Sequence, residues 1–440
     1  MKRMLEKRLN SLHLCVQGLV FIFVGILVIS NRSGLILDIF ALFMLYYLLT
    51  GVLRLVDWIL HPKEFTKLID SIANFVIGFF IEFTPRLQLK LLPWLFGIML
   101  LVRAFINIIS YLLFKRNHVR GRWQELFMFT FNSLVGLSMM FMPIVYVDEI
   151  MILIGCYLIL YGVKDIKDTI KDEMKLDTKN RLKRKFHLPV PDMIAAIIPY
   201  RVLHYINHYF EEHEQENKPV LQDVKEDVNP ELEVLIHVSD VGFGKIGHVD
   251  LCYHGYIISY GNYDASSYHL HEMIGDGVLF VAPKEKYIPF CIADSQKTLF
   301  GFGLTLTPDQ QERIDQELKK LFENVIPWQS PYEKAKLNGD AKGMEDASFY
   351  ASRLYKNTGA KMYKFKQGPF KTYFVLKTNC VLLADEIIGK TGIDIVSLNG
   401  LITPGAYYDY FSRQFMIRGT NVVTRTIYHR SNGVISFDKE

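Results

Sequence analysis

The sequence predicts a membrane-embedded α-helical bundle of six spans followed by a soluble α+β domain. Two observations carry this reading. Half of the 440 residues are hydrophobic and 22% are charged, and the apolar ones crowd into the first ~165 positions in blocks of the ~20 residues that a bilayer-crossing helix needs. Beyond position 232 the pattern changes to short alternating or apolar runs punctuated by Gly, Asn and Asp, which is strand patterning. The composition excludes a disordered or fibrous chain. A net charge of +4 is too small to indicate nucleic-acid binding. The five cysteines form no CxxC pair, so neither a disulfide scaffold nor a zinc ribbon is expected.

The six spans fall at about Leu12–Ser30, Leu35–Leu60, Ile69–Phe83, Leu91–Phe114, Leu126–Met142 and Ile144–Val163. The third and fifth are short, which implies either little tilt or local bilayer thinning. The first is followed by further spans and no small-residue cleavage site, so it is not a cleaved signal peptide. The odd spans align on Gly25, Gly78 and Gly136, and the even ones on Gly51, Ala104 and Gly162. Both series step by 53 and then 58 residues, which argues for three copies of a helical hairpin. Small residues at matched positions let helices approach closely.

Lys and Arg concentrate at the N-terminus (Lys2, Arg3, Lys7, Arg8) and in the second and fourth loops (Lys63, Lys67; Lys115, Arg116, Arg120, Arg122). The positive-inside rule then puts both termini, and the C-terminal domain, in the cytoplasm. Unpaired cysteines suit that reducing compartment. Arg54 and Arg103 lie near cytoplasmic span ends, where long side chains snorkel to the interface. The spans hold no acidic pair, which argues against proton or ion transport.

With six spans, this repeat length and this Gly placement, residues Leu12–Lys175 resemble the HdeD / DUF308 family of membrane proteins. That resemblance implies a link to acid stress and carries no catalytic residue.

The domain reading is 1–175 for the membrane part, 176–231 for a connector and 232–440 for the soluble part. The connector has a basic cluster from Lys164 to Lys185, suited to anionic lipid. An amphipathic stretch follows that lies on the membrane surface or packs on the next domain, then an acidic linker from Glu211 to Pro230. His187, His204, His208 and His213 fall here. His204 and His208 share a helical face, but without a third ligand no metal site is expected.

In the soluble part, VLIHVSD, GHVDLCYHG, YIISYGNYD, GVLFVAPK and TLFGFGLTL read as strands, with a turn at His254-Gly255. Thr307-Pro308-Asp309-Gln310 opens a helix with a capping box. Ile326 to about Asp346 reads as loop, and KMYKFKQGPF and YFVLK as further strand. Thr378-Asn379-Cys380 opens a second helix that Gly389 stops.

Cys380 therefore sits at a helix start, where the dipole and free N–H groups favour a thiolate nucleophile. A strand histidine, His248 in Gly247-His248-Val249, would supply the base. Cys252 lies mid-strand without a helix dipole, and Cys291 reads as strand core. No GxSxG motif supports a serine nucleophile. GFGKIG at 242–247 precedes no helix, so phosphate binding is not expected.

A strand His in a GHV-like context followed much later by Asn379-Cys380 resembles the circularly permuted NlpC/P60 superfamily of papain-like proteins, including the lecithin:retinol acyltransferase-like members. The resemblance covers about Leu232–Phe415. It implies Cys380 as nucleophile, His248 as general base and acid, and an orienting polar residue on the next strand. Counting puts Tyr260 there, with Asn262 the alternative if the register differs. The family usually has His, Asn or Gln at that place.

The expectation is a membrane-anchored cysteine hydrolase or acyltransferase that cleaves an amide or ester bond at the cytoplasmic membrane face. Its partners would be the lipid bilayer and an acyl or peptide-like substrate, with no cofactor, no metal and no nucleic acid. The alternative is a non-enzymatic stress-response membrane protein whose soluble domain binds a partner, with the connector histidines sensing acid.

Overall fold

The structure, a computed structural model, describes residues 2–61, 65–173, 220–225, 228–238, 247–295, 298–345, 349–389, 404–416 and 420–428. They divide into two compact units, one helical and one built on a sheet.

Six helices follow one another: α1 (Lys2–Asn31), α2 (Ser33–Leu60), α3 (Phe65–Phe83), α4 (Pro85–Arg116), α5 (Arg122–Phe141) and α6 (Val147–Glu173); they make up the helical unit, except that the end of α4 from Leu112 groups with the second. Among the described residues three stretches are long and apolar enough to cross a membrane: Ser33–Leu60, Pro85–Arg116 and Pro143–Val163. Val16–Asn31 is a shorter apolar stretch. Large apolar side chains such as Phe23, Leu42, Leu53, Phe80 and Phe105 stand more than half exposed along these helices, as expected of faces that meet lipid.

The repeat glycines lie where helices touch. A Cβ on Gly25 of α1 would lie 2.7 Å from the Gly155 carbonyl of α6, and one on Gly155 would lie 2.7 Å from the Gly25 carbonyl. Gly97 of α4 and Gly136 of α5 are reciprocal in the same way at 3.1 Å. Gly78 of α3 meets Leu48 of α2, and Gly51 of α2 meets the Phe75 ring of α3. The close pairs are thus α1·α6, α2·α3 and α4·α5. Each joins the second helix of one sequence repeat to the first helix of the next, and the last repeat to the first. The matched glycines mark contacts between hairpins, not within them.

The second unit holds eleven strands among its described residues. They are β1 (Val220–Val224), β2 (Leu232–Val238), β3 (His248–Tyr253), β4 (Tyr256–Gly261), β5 (Ile274–Asp276), β6 (Val278–Pro283), β7 (Thr298–Leu304), β8 (Val325–Trp328), β9 (Lys361–Phe365), β10 (Thr372–Phe374) and β11 (Val422–Tyr428). Nine form one sheet in the order β1-β11-β7-β2-β3-β4-β6-β9-β8, and β10 pairs with β5. Every pairing is antiparallel.

Helices cover both faces of the sheet, so its central strands are apolar on both sides. One face carries Val234, Ile236, Val249, Leu251, Tyr260, Phe300 and Phe302. On it pack α8 (Pro308–Glu323), α12 (Cys380–Gly389) and α13 (Pro404–Met416). The other face carries Leu235, Cys252, Ile257, Val278 and Phe280, under α7 (Lys284–Ser295) and α11 (Tyr350–Thr358).

Several local expectations meet the structure. His254 and Gly255 turn the β3–β4 hairpin with φ of 49° and 78°, the left-handed conformation that a tight hairpin turn demands. Thr307 and Gln310 form the reciprocal capping box of α8. Others are corrected. Cys291 lies in helix α7, not in a strand; a short apolar run does not separate the two by periodicity. Of the expected 326–346 loop, the described part, residues 326–345, is not a single loop. It holds the end of β8 and then α9 (Pro331–Asn338) and α10 (Ala341–Glu345). Ser330 caps α9 with Pro331 in its first turn, and Gly339 ends it in the left-handed conformation. The expected linker contains β1, which pairs with β11 at the sheet edge. The connector histidines and residues 242–246 lie outside the described residues.

Candidate active site

The site is assembled from a helix start and the mouth of a hairpin. Asn379 caps α12: its Oδ1 accepts from the Leu382 N–H at 3.1 Å, while its Nδ2 donates to the Val375 carbonyl at 3.0 Å. Thr378 donates to the Thr372 carbonyl at 2.9 Å. These bonds fix the turn that delivers Cys380 as the first residue of α12. The residue is 4% exposed. There the unpaired N–H groups and the positive end of the helix dipole favour an anion.

His248 opens β3 and is the cross-strand partner of His237 in β2. Gly247 precedes it with φ +93°, and a Cβ there would lie 3.0 Å from the His237 carbonyl. Only glycine takes that conformation without strain. At the strand end the His248 ring and the Cys380 thiol are close enough to act on each other electrostatically. His248 is the more open member of the pair, its side chain 19% exposed.

The third group is Asp250, two residues along the same strand and on the same face. Its side chain is fully buried, with Oδ1 2.8 Å from His248 Nε2 and Oδ2 2.6 Å from His237 Nε2. Tyr287 of α7 donates its hydroxyl to Oδ2 at 2.7 Å. Both imidazoles meet the carboxylate as close charge contacts, and the aligned hydrogen bond on the carboxylate is the one from Tyr287. Ser259 Oγ and Tyr263 Oη flank the same Nε2 at 3.0 and 3.2 Å and lie 2.9 Å from each other.

The electrostatics are consistent with this arrangement. Burial opposes a charge on Asp250, but His237 and His248 hold its carboxyl well below the ordinary range. Burial likewise opposes a charge on His248, yet Cys380 and Asp250 raise its pKa to about 10. By contrast, burial pushes the Cys252 thiol up to about 11, with Glu233 adding to it and Lys284 opposing.

The structure thus brings Cys380 and His248 together. It does not bring Tyr260 to His248. Tyr260 is buried on the opposite face of β4, where its hydroxyl donates to the Phe370 carbonyl at 2.9 Å and its ring packs on Phe365, Phe370 and Tyr373. The count missed by one residue, and one residue in a strand exchanges the two faces; Ser259 is the β4 side chain that reaches the imidazole. Asn262 donates to the Glu272 carbonyl at 3.0 Å and braces the loop at Gly275. Asp250 was legible as the i+2 residue of Gly247-His248-Val249-Asp250, whereas His237 and Tyr287 carry no local signal. Among the described residues no group of three His, Cys, Asp or Glu side chains is arranged to hold a metal ion.

The family model described as a short repeat of unknown function, DUF308, matches residues 69–141. With the apolar helices, that match makes the chain a membrane protein. No curated protein and no solved structure matches it.

Proposed function

We propose that the chain is a six-span, membrane-anchored cysteine hydrolase or acyltransferase, with a permuted papain-like domain working at the cytoplasmic membrane face. The observation that carries the reading is the junction of a helix-start cysteine with an imidazole that is tied to a buried carboxylate. Three residue types in that order of contact are what thiol acyl-transfer chemistry requires.

In the first step Cys380 Sγ bonds to the carbonyl carbon of an amide or ester. The carbonyl π electrons move to its oxygen, beside the first N–H groups of α12. His248 then gives its proton to the leaving nitrogen or oxygen as that bond breaks. A thioester to Cys380 remains. Water or an acceptor alcohol or amine attacks it, His248 takes the proton of the attacking group, and the thiolate is restored. Asp250 holds the imidazole in its working tautomer throughout. Six helices with glycine-mediated contacts fit six spans, and the basic loops orient both ends to the cytoplasm. That placement favours lipids, lipid-linked precursors or acylated peptides of the inner leaflet as substrates.

The test is p-nitrophenyl acetate turnover by the full chain in detergent micelles, with intact-mass detection of the acylated protein. The reading expects one acetyl group on Cys380, lost in Cys380→Ala and no longer turned over in His248→Ala. Acetylation that persists in Cys380→Ala overturns it.

A further inference from the structure

The acyl-transfer reading leaves His237 unused, yet it is one of the most deeply buried polar residues of the sheet, at 1% exposure. It stands directly across from His248 in the β2–β3 register. Its ring meets the His248 ring edge-on at 5.6 Å, and its Nε2 lies 2.6 Å from Asp250 Oδ2. The carboxylate is thus shared between two imidazoles, one on each oxygen.

A buried carboxylate needs donors in every state of a reaction cycle. His248 holds and releases a proton in each turnover, so the charge facing Asp250 Oδ1 alternates. Oδ2 faces groups that take no part in the chemistry. We propose that His237 is a positioning residue of the Cys380–His248 pair: together with Tyr287 it holds Oδ2 of Asp250, and so keeps the carboxylate ionised and aimed at His248 while the proton moves. This rests on the acyl-transfer reading above and adds a fourth member to its machinery.

The groups around the clamp restrict what a pH profile can report. Tyr287 and Cys291 face it from α7, Tyr350 from α11, Tyr263 from the segment after β4, and Ser259 from β4. Burial holds the three tyrosines well above the ordinary phenol range, so they stay neutral where the carboxylate and imidazoles titrate. Cys380 and His248 are the reacting pair itself.

The experiment is the pH profile of iodoacetamide alkylation at Cys380, read by peptide mass spectrometry on the full chain in detergent. It compares wild type with His237→Leu, His237→Gln and His248→Ala. Leucine removes the donor, whereas the glutamine amide reaches to where Nε2 stands. In His237→Leu the rate at pH 7 is expected to fall about tenfold to a hundredfold, the scale of one close polar contact to a buried charge. Its acid limb is expected to move up toward neutral pH, because an unclamped buried carboxyl takes a proton more readily. His237→Gln is expected to keep the wild-type limb.

A merely packing role would lower the rate equally at every pH and leave the limb in place, which overturns the inference while the acyl-transfer reading stands. If His248→Ala labels as fast as wild type, that reading falls and the clamp falls with it. Alkylation of the fully buried Cys291 reports folding in the same digest. Should His237→Leu expose it, His237→Asn against His237→Gln makes the same comparison, since the shorter amide stops short of Oδ2.

Discussion

Replacing Asp250 with asparagine keeps the shape of a fully buried side chain and removes its charge. The carboxylate meets three donors within 2.8 Å: His237, His248 and Tyr287. The amide retains one acceptor oxygen and turns an NH2 group toward another donor. Breaking a buried, hydrogen-bonded charge network from one side costs about 3–5 kcal/mol. At the lower figure the open population of the domain rises about a hundredfold, which alkylation of buried Cys291 reads directly.

The pH dependence has a definite sign. Asp250 has a depressed folded pKa, so its contribution is present above its ordinary value near 3.8 and lost only as pH falls well below that. His248 has a raised folded pKa, so its contribution is complete below about 6.5 and lost as pH rises through about 10. The difference between wild type and Asp250→Asn is therefore widest from about pH 4 to 6.5 and shrinks toward pH 10. Ester turnover by the variant should drop by about 10⁴, as when an amide replaces the buried carboxylate of a serine-histidine-aspartate triad. Iodoacetamide labelling of Cys291 and p-nitrophenyl acetate turnover, each from pH 5 to 10, measure the two effects. Rates within threefold of wild type for both would refute the argument that Asp250 organises this site.

Cys252, with its thiol at about 11, should resist iodoacetamide at pH 7 and label only as pH climbs toward that value, which the same digests record. Gly155→Ala should separate α1 from α6, because its Cβ would run into the Ile29 side chain and lie 2.7 Å from the Gly25 carbonyl. Overpacking of this kind costs about 1–3 kcal/mol, visible as a lower aggregation temperature in detergent. Gly34→Ala, with nothing within 4 Å of the added carbon, serves as the silent control. Thr307→Ala removes the capping box of α8 at a cost of about 1 kcal/mol; chemical denaturation should register it while Cys380 labelling stays unchanged. Asn379→Ala costs a similar amount, and because Asn379 also shapes the turn before Cys380, it should slow that labelling as well.

The sequence by itself determined the features that depend on neighbours along the chain. Apolar blocks fixed where the N-terminal helices run, and glycine spacing announced their contacts. Capping signals placed α8 and α12, and with α12 the position of Cys380 at a helix start. His254-Gly255 turned the hairpin, and strand parity put Asp250 on the His248 face. What only the tertiary structure decided involves partners far apart in the chain. The β2–β3 register sets His237 opposite His248, and α7 lays Tyr287 over Asp250. Tyr260 was lost to a single-residue shift in counting, since a strand alternates faces at every step. Cys291 was misread because burial on a helix and burial in a strand leave the same short apolar run. Which even helix each glycine meets was likewise undetermined, because the spacing marks a surface fit for close packing and only the folded bundle supplies its mate. Local chemistry is written in local order, whereas a buried charge is explained only by the residues that the fold brings to it.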